Sequence, residues 1–178
     1  MKTRELTKMS ICISLLCVSA YISFPLPFTP AMVTALTIMV NLIGLVLTPK
    51  QSAIVMGVYI LLGICGVPVF VGGTAGLGKI FGPTGGFILG FLVAAPVISL
   101  LKGKSNDIRK YLMLTILVGM PIIYICGVFT MRLYLKNDIA STLMSAVVPF
   151  IFGDILKCIV SSVLAIKLTQ TLGSVVNA

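Results

Sequence analysis

Between Lys8 and Lys50 the chain carries no charged side chain at all. An uncharged, mostly apolar run of this length exceeds the roughly 20 residues that one helix needs to cross a bilayer, so it has to fold back on itself in an apolar medium. The bias extends through the whole chain of 178 residues, of which 58% are hydrophobic and 10% charged. Soluble domains carry about 25% charged residues, so lipid is the solvent that this composition suits.

Helix breakers divide the chain into spans. Pro25, Pro27 and Pro30 split the first run into a helix near residues 9 to 24 and a second near 31 to 48, because proline lacks the N–H that a helix interior needs. Gln51 to Gly78 is again uncharged, and glycine and proline crowd it after Leu62, which sets a third helix near 52 to 68 and a loop near 69 to 84. Ile80 to Leu101 supplies a fourth span, Tyr111 to Met131 a fifth with a kink at Pro121, and Thr142 to Thr169 a sixth that contains Asp154 and Lys157. The expectation is an all-α integral membrane protein, a single domain over residues 1 to 178. It has six transmembrane helices and a glycine-rich loop between the third and the fourth.

Charge then sets the orientation. Thirteen Lys and Arg against four Asp and Glu leave +9, and without a basic low-complexity arm this excess reads as membrane topology and not as nucleic-acid binding. Six spans bring both termini to one side. With that side cytoplasmic, Lys2, Arg4, Lys8, Lys50, Lys102, Lys104, Arg109, Lys110 and Lys167 lie inside, while Lys79, Arg132 and Lys136 lie outside. That division follows the positive-inside rule and places the chain in the cell membrane with the glycine-rich loop on the outer face. Lys2, Arg4 and Lys8 before an apolar run ending at Ala20 have the pattern of a signal peptide, but five further spans favour an uncleaved first helix.

The side chains available exclude most chemistry. The chain has no histidine, which removes Ser-His-Asp and Cys-His nucleophiles and imidazole metal sites, and four acidic residues leave little for a carboxylate cage. Cys12, Cys17, Cys65, Cys126 and Cys158 lie in apolar stretches without CxxC spacing, as small packing residues do. Neither an enzyme nor a resident metal or cofactor is expected.

Two charged groups interrupt an apolar span, Asp154 and Lys157 in Phe150-Ile-Phe-Gly-Asp-Ile-Leu-Lys157. A charge near the membrane centre costs about 2.5 to 3.5 kcal/mol on insertion scales, so such residues face a bundle interior or a wet cavity. Their three-residue spacing puts both on one helix face, about three turns below an outer end near Ser141. They form either a mutually neutralising pair that locks the helix or a polar substrate site. The loop from Pro68 to Gly86 lacks GxxxxGK[ST] and so is a weak phosphate candidate. Phe70, Phe81 and its prolines are poor linker residues and suit a loop that packs over something. In the first helix Ser10, Ser14 and Cys17 share a stripe of small residues, fit for internal packing or for docking to another membrane protein. Asn41 is a lone amide in the second span, read as an interhelical hydrogen bond.

Five segments taken together, Phe28-Thr-Pro30, Gly44-Leu-Val-Leu-Thr-Pro-Lys50, Tyr59-Ile-Leu-Leu-Gly-Ile-Cys-Gly-Val-Pro-Val-Phe70, Gly82-Pro-Thr-Gly-Gly-Phe87 and Pro149 to Lys157, resemble the biotin-specific substrate-binding (S) components of energy-coupling-factor (ECF) vitamin transporters. The resemblance implies six helices with both termini cytoplasmic, and capture of biotin from outside. It also implies partnership with a membrane-embedded coupling (T) subunit and with two cytosolic ATPase subunits; on the docking reading of the first helix, the T subunit is the partner for Ser10, Ser14 and Cys17. The chain itself has no nucleotide-binding motif. Asp154 and Lys157 are implied to contact biotin, and the loop from 70 to 86, with Phe70, Gly73, Thr74 and Lys79, to close over it as a lid. Met32 and Leu36 stand where many relatives have Pro and Gln, and Thr74 where some have Arg.

Biotin offers two ureido N–H donors, one carbonyl acceptor, an apolar middle and a carboxylate. Asp154 can accept from the ureido ring. Residues 154 and 157 are only about 4.5 Å apart along the helix, less than the ligand's length, so the carboxylate is assigned to Lys79. The alternatives are an S component for another vitamin or a biotin precursor, or a stand-alone facilitator or channel.

Overall fold

A computed structural model describes residues 3–27, 29–103, 106–136 and 138–176. Lys2, Phe28 and Lys104, used in the argument above, lie outside the described residues. Helices fall in each of the six stretches expected to be apolar spans. They are α1 (Thr3–Ser19), α2 (Leu36–Val46), α3 (Pro49–Ile64), the one-turn α4 (Leu77–Ile80), α5 (Gly85–Lys102), α6 (Ile108–Leu114), α7 (Met120–Leu135), α8 (Ile139–Ala146) and α9 (Ile151–Val176). A π-turn at Thr115–Gly119 joins α6 to α7.

Among the described residues, Gly85–Lys102 and the continuous Ile108–Leu135 are each long and apolar enough to cross a bilayer, and α8 with α9 would make a third span. The outer faces carry large apolar side chains, with Leu117, Ile125, Phe129 and Phe152 all more than 60% exposed, as a lipid-facing surface requires.

The structure corrects the expected boundaries: the third helix spans Pro49–Ile64 and ends short of residue 68, the fourth begins at Gly85 and not at Ile80, and four further places differ. The first helix runs from Thr3 to Ser19 and stops short of residue 24. The proline-rich break beyond it is an antiparallel hairpin, β1 (Ser23–Pro25) with β2 (Met32–Thr34), in register Ser23 to Thr34 and Pro25 to Met32. The chain is therefore not purely α, and α2 is shortened to 11 residues because 32–34 are strand. Just before Pro121 the helix widens into a π-turn: Met120 N–H reaches back to Thr115 O, a wider turn that accommodates the donor proline lacks. The sixth stretch is broken between α8 and α9 with a bend of 49°, where Pro149 denies an N–H and restricts Val148.

Helix α5 is the hub, packed against α2, α3 and α7, while α2 also lies on α9 and α1 on α2 and α3. Close approach of α5 and α7 depends on Gly86, where a Cβ would stand 2.0 Å from the carbonyl oxygen of Cys126. The turn between α2 and α3 is built from local rules. Thr48 and Gln51 form a reciprocal capping box at the start of α3, with Pro49 in its first turn. At the end of α2, Lys102 Nζ donates to the carbonyls of Leu45 and Leu47 and Ser99 Oγ donates to Leu47 O, satisfying acceptors that a helix end leaves open.

Candidate functional site

The break at Pro149 places Asp154 in the first turn of α9, not three turns below an outer helix end. The positive end of the helix dipole favours a carboxylate there. Asp154 Oδ1 accepts from Lys157 Nζ at 2.8 Å, and the two side chains are 9% and 13% exposed. Its other oxygen, Oδ2, accepts from Tyr124 Oη at 2.6 Å. An ion pair this buried is sustained only when the remaining lone pairs are also bonded, and Tyr124 supplies that bond.

These groups border a small cavity that is partly open to the outside. Its walls are apolar and aromatic: Phe87, Ile88 and Phe91 from α5, Ile123 and Tyr124 from α7, and Phe150 before α9. The hairpin contributes Met32 and Thr34, α2 contributes Thr37, and the segment between α3 and α5 contributes Val71, Lys79 and Thr84. Three charges thus meet one space, two cations and one anion. Lys79 has no ion-pair partner among the described residues. No group of three His, Cys, Asp or Glu able to hold a metal gathers among the described residues.

Asp154, Lys157 and Lys79 are brought together, whereas Phe70, Gly73 and Thr74 do not line the cavity. Phe70 is fully buried and turned into the core, edge-on to Tyr59 with ring centres 5.7 Å apart. It fits because position 63 is glycine: a Cβ there would lie 2.0 Å from the Phe70 ring. Thr74 pairs with Phe70 through the backbone, and its hydroxyl donates to Val71 O. Gly73 lies against the Tyr21 ring. These three residues anchor the loop, which reaches the cavity through Val71 among them and through Lys79 and Thr84 beyond them. Phe81 is 75% exposed.

Ser10 and Ser14 are exposed on α1, each hydroxyl bonded to its own helix at Leu6 O and Ser10 O, while Cys17 is half-buried. Asn41 makes the expected interhelical bond, Nδ2 to Cys158 Sγ at 3.5 Å. Tyr124 was not anticipated as a site residue. The available signal was a hydroxyl in an uncharged span, since a buried tyrosine tip needs a partner.

Comparison with known proteins gives a consistent assignment. Residues 1–174 match the model of the BioY family. The biotin transporter BioY of Thermotoga maritima is 36% identical over 167 residues, covering 94% of this chain and 96% of that protein. The biotin transporter BioY2 of Lactococcus lactis subsp. cremoris is 31% identical over 173 residues, covering 96% and 93%. A crystal structure of the S-component for biotin from an ECF-type ABC transporter matches with a TM-score of 0.89 at 23% identity, over 96% of this chain and 95% of that one. The two share a fold.

Proposed function

The chain belongs to the BioY family, and from that premise we propose that it is the membrane-embedded biotin-binding subunit of an ECF-type uptake transporter. One observation carries the reading: Asp154, Lys157 and Lys79 line a single, otherwise apolar cavity. Its net charge of one positive unit suits an acid with an apolar body. Asp154 accepts a ureido N–H, Lys157 holds Asp154 and faces the ureido carbonyl, aromatic walls take the thiophane and valeryl chain, and Lys79 answers the carboxylate.

In this reading the chain crosses the membrane six times with both termini cytoplasmic, as the nine-to-three distribution of basic residues favours. Residues 77–84 act as the lid on the outer face, and they are the part of the loop that brings Lys79 and Thr84 to the cavity. Inward delivery requires a T subunit and two ATPases, since this chain binds and does not catalyse. The exposed hydroxyl side of α1, with Ser10 and Ser14 beside Cys17, is the docking face for the T subunit.

The test is direct. Ligand extracted from purified protein is identified by mass spectrometry, and stripped protein is titrated with biotin. One biotin bound per chain is the expected result. Recovery of a different vitamin, or of a biotin precursor bound in preference to biotin, would replace the ligand, and conduction without stoichiometric binding would replace the mechanism.

A further inference from the structure

Asn41 sits in the apolar helix α2 at 2% exposure. Its Nδ2 reaches the thiol of Cys158, but its Oδ1 has no hydrogen-bond partner among the described residues. Buried amide oxygens are nearly always paired, so an orphan calls for an explanation. The residue borders a recess shared with Thr37, Met120, Tyr124, Asp154 and Cys158, with room for about one water-sized group.

This recess is the floor of the cavity already described, because Thr37, Ile123, Tyr124 and Asp154 line both. Thr37 and Asn41 are four residues apart and share one face of α2. Across from them the π-turn ends at Gly119, where a Cβ would stand 3.1 Å from Asn41 Oδ1. A side chain at that position would crowd the amide. Widened turns of this kind recur where a helix is shaped around a site.

A cyclic urea presents two N–H donors that diverge on either side of its carbonyl, so one carboxylate cannot receive both. Asp154 serves one of them. Resting on the reading of this cavity as a biotin site, we propose that Asn41 is a specificity-determining residue whose Oδ1 accepts the second ureido N–H when the ring edge enters the recess. The orphan acceptor is then satisfied by substrate, and the recess admits an N–H while excluding a bulkier group.

The test uses biotin and its two isomers methylated at one or the other ureido nitrogen, titrated against wild-type protein and Asn41→Leu. Wild type is expected to bind biotin and to discriminate against both isomers. Asn41→Leu should bind biotin about tenfold more weakly and bind one methylated isomer no worse than wild type does, while still rejecting the other. Unchanged biotin affinity, or an equal loss for biotin and both isomers, would overturn the role of Asn41 and leave only packing. If the leucine variant does not fold, Asn41→Ala is read against the same ligands. Wild-type protein that fails to bind biotin would overturn the reading of the site itself, a result distinct from a binding wild type with an indifferent variant.

Discussion

Tyr124 Oη donates to Asp154 Oδ2 at 2.6 Å, while Lys157 Nζ holds the opposite oxygen of the same carboxylate at 2.8 Å. Two helices, α7 and α9, are thereby tied through one buried anion, and neither oxygen is left to find a partner by moving. Tyr124→Phe removes the tie with little change of volume. Leaving one carboxylate oxygen short of a donor should cost about 1.5 to 2 kcal/mol of stability. A thermal melt of the ligand-free variant in detergent should shift downward, and biotin should recover part of the loss because its N–H reaches the vacated oxygen. An unaltered melt would show that the tie contributes nothing.

Asp154→Asn keeps the shape of the side chain but turns one acceptor into a donor. The ureido N–H then meets an N–H, and Lys157 keeps its charge without a counter-charge. Biotin binding should weaken by about 1.5 to 3 kcal/mol, roughly 10- to 150-fold, as measured by titration of a variant whose fold is verified. Wild-type affinity in a folded Asn variant would reduce the pair to a lock on α9.

The helical stretches and the charged pair were legible in the sequence because both follow from solvent alone. Lipid excludes charge, so uncharged runs mark helices and an interrupted run marks Asp154 and Lys157. What escaped depends on which faces meet. Tyr124 is 30 residues from Asp154 and Asn41 is 117 from Cys158, separations across which no local pattern connects the partners. The hairpin leaves no such mark, because its strands are three residues each within an uncharged run containing four prolines. The loop was legible as an unusual element but not in its direction. Phe70 and Lys79 are nine residues apart, yet one faces the core and the other the cavity, a difference made by the space that Gly63 leaves for the Phe70 ring.

Ser14→Leu tests the outer face of α1. The hydroxyl of Ser14 is spent on its own helix at Ser10 O, so the residue offers smallness and not a hydrogen bond. A leucine there should block close helix approach, abolishing co-purification with the T subunit and biotin uptake while binding by the isolated subunit survives. Parallel loss of binding and assembly would assign the stripe to internal packing instead.

Lys79→Ala separates the carboxylate from the rest of the ligand. The variant should weaken biotin but not an uncharged biotin amide. Lys79 lines the cavity and is only half-buried, so water screens the contact and the loss should be about 1 kcal/mol. Equal weakening of acid and amide in paired titrations would remove Lys79 as the carboxylate partner.

The loop between α3 and α5 should respond to ligand in only one of its halves. From Phe70 to Gly76 most amides are already engaged, among them Phe70 N–H on Thr74 O, Gly72 N–H on Ala20 O and Gly76 N–H on Gly63 O, with the Phe70 ring buried beneath. Residues 77–84 carry Lys79 and Thr84 to the cavity but are held mainly by short bonds within their own turns. Opening of such a segment is a local event of low free energy, and ordering over a ligand raises that free energy. Hydrogen exchange with and without saturating biotin should therefore show new protection at 77–84 and little change at 70–76. Protection spread evenly over both halves would mean that the whole loop moves as one body, and no protection in either would mean that no lid closes here.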